Sequence, residues 1–212
     1  MNNQAINSEE ETEEHNEYQN FAFHPYNVLL TLVLIGVTGL FLALTGALIY
    51  TRVQNGLPPI KLPMIFAVNT VILLGSSWAM MKAKQCYRDD DTKGYQNMLW
   101  ITVGLSLLFM VMQFVGWQQL FNNNVFINSS TSASYLYVIS GLHFAHVIAG
   151  LPFLGFFLWT ARKRMVEPVS VLVYFSDPEK RLKLRLLTVY WHFLDALWIY
   201  LVILFFVNYL IQ

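Results

Sequence analysis

The sequence holds one cysteine, Cys86, in 212 residues, and only 12% of its residues are charged. A lone thiol in a polar stretch supports neither a disulfide framework nor a thiolate metal site, so Cys86 reads as an inert loop residue. Basic and acidic residues number 13 each, and this zero balance lacks the electrostatic footprint that nucleic acid as a partner would require. The segment Met1 to Asn20 has six Glu, no Lys or Arg and no apolar core. Nothing in it resembles a cleavable signal, and the expectation is a disordered acidic tail. No phosphate loop, no nucleophile with a supporting base and no haem-ligand pair across two helices can be picked out.

What is abundant is apolar. Hydrophobic residues make up 56% of the chain and aromatics 16%, far more than a soluble globule of this size can cover. The composition indicates an all-α integral membrane protein. Five segments exceed the roughly 20 helical residues that a hydrocarbon core requires. They are Tyr26 to Thr51, Ile60 to Met81, Asn97 to Phe121, Ser134 to Thr160 and Leu186 to Leu210, with Tyr and Trp at their edges as interfacial anchors. Leu57-Pro58-Pro59 marks the first turn. Between the fourth and fifth spans, Val169 to Phe175 is apolar but too short to cross. It is expected at the interface or on a partner, with Ser176-Asp177-Pro178 ending it before a basic helix start. The domain reading is an acidic tail over residues 1–20 and one five-helix membrane domain over residues 21–212.

The 13 basic residues report orientation. Arg52 and Lys61 flank the first turn, Lys82, Lys84, Arg88 and Lys93 the second; the third has none, and seven lie between Arg162 and Arg185. Placing the second and fourth turns inside leaves 11 basic residues in the cytoplasm and 2 outside. By the positive-inside rule the N-terminus is then cytoplasmic and the C-terminus periplasmic.

Asp195 is the only acid in any of the five apolar segments. A charge at membrane depth costs several kcal/mol unless paired or neutralised. Helical rise places it roughly 13 Å, and His146 roughly 21 Å, from the cytoplasmic ends of their helices. The tolerance of helix ends and tilt therefore admits a His146–Asp195 pair, direct or through water. His143 with His146, and His192 with Asp195, are three residues apart, so each pair shares a helix face that should turn away from lipid. The readings are a buried clamp between two helices, a transition-metal site or a proton relay; the clamp needs only these groups, whereas no further ligand and no chain of acids supports the other two. Asn69, Thr70, Ser76, Ser77, Thr102, Ser106 and Gln113 read as interhelical hydrogen-bonding groups, and the intramembrane glycines as sites of close packing.

Tyr190-Trp191-His192-Phe193-Leu194-Asp195-Ala196-Leu197-Trp198 resembles the final-helix signature of the cytochrome c oxidase subunit III family of the haem-copper terminal oxidases. Gly141-Leu142-His143-Phe144-Ala145-His146-Val147-Ile148-Ala149-Gly150 is similar to that family's glycine and histidine motif. Leu62-Pro63, Asn69-Thr70 and Ser76-Ser77 look like its earlier pattern, in the right order. The resemblance implies a short, five-helix bacterial form, an accessory subunit in the inner membrane with no catalytic centre, haem or copper of its own. Haem and copper would sit in partner subunits I and II, with subunit I the main contact. It leaves room for bound phospholipid and for a respiratory supercomplex. The family role is to support proton uptake and protect the oxygen-reducing centre of a proton-translocating oxidase. His143, His146, His192 and Asp195 would then be a structural polar cluster. A quinol oxidase subunit III shares this pattern. From another class, a small membrane transporter or metal-dependent membrane enzyme would use the same cluster as its active site, and a bare structural scaffold needs no partner at all.

Two family glutamates have no counterpart. Tyr26 to Thr51 contains no acid, and the position following the family's glutamine, matched by Gln113, is Gly116. The family's two-helix N-terminal arm is absent as well, so a lipid or proton role tied to these features does not transfer.

Overall fold

A computed structural model describes residues 25–56, 62–165 and 168–210 of the chain. The expected acidic tail and the Leu57-Pro58-Pro59 turn lie outside these residues. The chain divides into two compact units, Met1–Leu40 and Phe41–Gln212. Six helices are described: α1 (Pro25–Asn55), α2 (Ile65–Arg88), α3 (Thr92–Asn122), α4 (Thr131–Arg164), α5 (Pro168–Ser176) and α6 (Pro178–Leu210). All but α5 are long and apolar enough to cross a membrane. Together with the family membership established below, this makes the chain a multi-pass membrane protein.

In the first unit the described chain is the opening of α1. Thr31 and Thr38 donate their hydroxyls to the carbonyls of Asn27 and Leu34 one turn back. A hydroxyl satisfied this way can face hydrocarbon without a bare polar group.

In the second unit α2 packs on α3 and α6, and α4 packs on the same two, closing a ring of four helices. The rest of α1 joins this unit through Thr45 Oγ1, 2.9 Å from the Tyr200 hydroxyl, and through Arg52, which donates to the backbone and side-chain oxygens of Asn208. Water does not drive helices together inside lipid, so such polar bonds and close packing must hold the ring. One end of the ring is filled by Met80, Tyr87, Tyr95, Leu99, Leu154, Phe157, Leu187 and Trp191. The short helix α5 caps this end with Tyr174 and Phe175, whose rings meet Tyr87, and the Tyr87 hydroxyl donates to the Tyr174 carbonyl at 3.1 Å.

The helix ends show the local causes. The expected start of the second span at Ile60 is corrected: Leu62 and Pro63 are not helical, and α2 begins at Ile65. Proline disfavours the helical conformation in the residue before it and offers no N–H, so the helix starts beyond Pro63. The other spans run past their expected ends because polar flanks extend them toward water. Asp91 and Ser130 cap α3 and α4 by accepting from the N–H groups of Gly94 and Ala133. The α2–α3 turn is tight, with Asp90 at a φ of 55°. As expected from Ser176-Asp177-Pro178, the short apolar run ends there, and Pro178 opens α6 with Asp177 accepting from Glu179 N–H.

Candidate functional site

Asp195 and His192 project from one turn of α6 toward α2. His192 Nδ1 lies 2.6 Å from Ser77 Oγ. Asp195 is only 4% exposed, and its Oδ2 has no partner among the described residues. One residue before Ser77, Ser76 accepts from Trp191 Nε1 at 3.1 Å and lies 3.5 Å from Ser106 Oγ of α3. Two adjacent serines of α2 thus hold two side chains of α6, Trp191 and His192.

The two histidines of α4 point elsewhere. His146 Nδ1 lies 2.7 Å from the Leu142 carbonyl of its own helix, and its ring meets Phe41 at 5.8 Å. No direct His146–Asp195 bond occurs among the described residues: His146 bonds its own helix, and the α6 side chain that Ser77 holds is His192, which ties α2 to α6. The reason lies in geometry that depth alone does not carry: the polar face of α6 turns to the neighbour on its other side. His143 is fully buried between aromatic rings, 4.9 Å from Trp198 and 5.9 Å from Phe109 centroid to centroid. Neither of its nitrogens has a partner among the described residues. What joins α4 to α6 is Tyr190, whose hydroxyl donates to the His146 carbonyl at 2.9 Å beside Gly150.

The four predicted residues are thus divided: His192 meets Ser77, Asp195 lies buried one turn further along α6, and His143 and His146 each occupy separate surroundings. Among the described residues no three of His, Cys, Asp and Glu come together in a way that could hold a metal ion.

A second polar pair lies deeper in the ring. Asn69 Nδ2 donates to Gln113 Oε1 at 2.9 Å, joining α2 to α3, and both side chains are completely buried. Asn69 Oδ1 and Gln113 Nε2 are left without partners among the described residues, as is Trp198 Nε1. A buried polar atom left bare costs about 1–3 kcal/mol. Sequence reasoning grouped Asn69, Gln113, Ser76 and Ser77 as interhelical glue without pairing them. The available signal was spacing: Asn69 and Ser76 are seven apart on α2, Ser106 and Gln113 seven apart on α3, matching two turns of facing helices.

Of the glycines read as close-packing sites, Gly116 and Gly150 are the tight ones. An added Cβ would meet Ile65 Cγ2 at 2.8 Å and Tyr190 Cε1 at 2.9 Å respectively, whereas Gly104, Gly141 and Gly155 have nothing within 4 Å among the described residues.

Comparison with known proteins places this arrangement. Residues 46–209, from within α1 nearly to the end of α6, match the family described as Cytochrome c oxidase subunit III. A cytochrome c oxidase subunit 3 of Synechocystis is 32% identical over 180 residues, covering 82% of this chain and 72% of its own length. Those of Alkalihalophilus pseudofirmus and Thermostichus vulcanus are 29% and 27% identical, covering 81% and 66% of this chain. They are matched over 77% and 64% of their own lengths.

Proposed function

This chain belongs to the cytochrome c oxidase subunit III family, and from that premise we propose that it is the accessory, non-redox subunit III of a bacterial proton-translocating haem-copper terminal oxidase. It packs on subunit I, supports proton uptake and protects the oxygen-reducing centre from inactivation during turnover. Haem and copper reside in subunits I and II. Cytochrome c is the electron donor, a reading favoured over quinol by the names of the relatives, each a cytochrome c oxidase subunit 3.

The observation that carries the proposal is the family match across 164 consecutive residues, 46–209. The use of the polar side chains supports the accessory role. His192 is engaged with Ser77, Trp191 with Ser76 and His146 with its own backbone. Groups so engaged tie helices together and leave the redox chemistry to partners.

The chain lies in the bacterial inner membrane with its N-terminus cytoplasmic. At the cytoplasmic interface Arg162 stacks over Trp100 at 4.7 Å and Lys163 over Trp159 at 5.1 Å. Aromatic and cationic side chains favour this depth of the bilayer.

Purification of the tagged chain in gentle detergent should bring down partners with a haem absorption spectrum and a copper-bearing subunit II. A haem-bearing complex without that copper would assign the quinol version instead, and recovery without haem partners would overturn the oxidase reading. Within the complex, Asp195→Ala should shorten the life of the enzyme under turnover while leaving the initial rate of electron transfer near normal. Immediate loss of the initial rate or the haem spectrum would refute the accessory role.

A further inference from the structure

Asn69, Gln113, His143, Asp195 and Trp198 each carry at least one side-chain polar atom without a protein partner, and none of the five is more than 4% exposed. They come from all four helices of the ring, and their neighbours place them together. Trp198 stacks on Phe66 at 5.7 Å and meets Phe109 at 5.2 Å and His143 at 4.9 Å. Asn69 lies three residues from Phe66, Gln113 four from Phe109 and Asp195 three from Trp198, each about one helical turn away. The α2–α6 contacts run from Phe66 with Trp198 to Ser77 with His192, and both Asn69 and Asp195 fall between those levels.

The chemistry of the six atoms is balanced. Gln113 Nε2, Trp198 Nε1 and one imidazole nitrogen of His143 donate; Asn69 Oδ1, Asp195 Oδ2 and the other imidazole nitrogen accept. Donors and acceptors are equal in number and lie in, or about one helical turn from, the Trp198 ring cluster, yet none is bonded to another. Exchanging the oxygen and nitrogen of both amides does not help, because the Asn69–Gln113 bond still uses one atom of each and leaves one of each free, and exchanging one alone sets like atoms against each other. In hydrocarbon no solvent can reach such groups from outside, and the cost of leaving all six bare would rival the net stability of a whole domain.

We propose that this layer is a buried hydration site, in which ordered water bridges α2, α3, α4 and α6 through Asn69, Gln113, His143, Asp195 and Trp198. At roughly three bonds per buried water, about two molecules satisfy the six atoms. The water adds a second polar connection between α4 and α6 beside the Tyr190–His146 bond, with His143 as its α4 member. The site does not depend on which oxidase the chain serves.

X-ray radiolysis of the intact membrane complex provides the test, because it generates hydroxyl radicals from bound water at the place where that water lies. Trp198 should be oxidised several-fold faster than Trp191, which is equally buried but has its N–H bonded to Ser76. Radicals generated in bulk solution from peroxide should leave both indoles unmodified. Equal X-ray labelling of Trp198 and Trp191 would overturn the site, as would labelling of Trp198 by bulk radicals, which would mean open access instead of bound water. In the paired variant Asn69→Leu with Gln113→Met, which removes one donor and one acceptor at matched volume, Trp198 labelling should fall; labelling unchanged in the folded variant would also count against the assignment. The unvaried complex decides the matter if that variant does not assemble.

Discussion

A methyl group at Gly116 would lie 2.8 Å from Ile65 Cγ2 and 3.3 Å from the Phe66 ring, well inside ordinary contact. Gly116→Ala should therefore force α2 from α3 and lower stability by about 1–3 kcal/mol, as overpacking of a tight core does. Gly104→Ala, with nothing near, should change it little, and thermal dissociation of the purified complex compares the two. At Ser77 the expected effect is of a different kind. Ser77→Ala strands His192 Nδ1, so it should destabilise by about 1–3 kcal/mol, more than Thr70→Ala, whose hydroxyl serves only the Phe66 carbonyl of its own helix. A detergent unfolding series showing equal losses would contradict the Ser77 bridge.

At the level of the helix, Asp177 fixes where α6 begins. Its carboxylate accepts from the backbone of Glu179 and Lys180 and pairs with the Lys180 ammonium at 2.7 Å. The Lys180 side chain, chiefly, holds the carboxyl below its usual range, with the backbone N–H bonds adding and burial opposing. A lowered folded pKa means that the stabilisation is present above the unfolded value of about 4 and is lost as pH falls through the folded one. Hydrogen exchange in the first turn of α6 should accordingly be protected at neutral pH, beyond the intrinsic pH dependence, and lose that protection in strong acid. Asp177→Asn should remove the pH dependence. If the variant keeps it, another group governs the helix start. Pro63 acts in the same way at α2, where it sets the boundary that hydropathy placed too early.

For the molecule as a whole, the orientation is the most direct thing to measure. In a Cys86→Ser background, Asn123→Cys at the α3–α4 turn should react with a membrane-impermeant maleimide in intact cells. Arg88→Cys at the α2–α3 turn should react only after the membrane is opened. Both positions are exposed, so a reversed result would invert the topology. The ring of α2, α3, α4 and α6 follows from short turns between successive helices together with the return of α6 to α2, which the serines at 76 and 77 secure.

Much of this was determined by sequence alone. Apolar runs of fixed minimum length impose membrane-crossing helices, because backbone polar groups in lipid must be satisfied within the segment, and the ordered motifs around His143 and Asp195 pointed to the family before any coordinate. Prolines and caps legible in the chain set several helix ends. What only the tertiary structure decided is which neighbour each polar face meets. Depth along a helix can be counted from residue numbers, but rotation about its axis depends on the packing of every helix around it. That rotation turned His192 to Ser77, enclosed His143 among Trp198 and Phe109, and made Gly116 and Gly150 tight while Gly104, Gly141 and Gly155 stayed open.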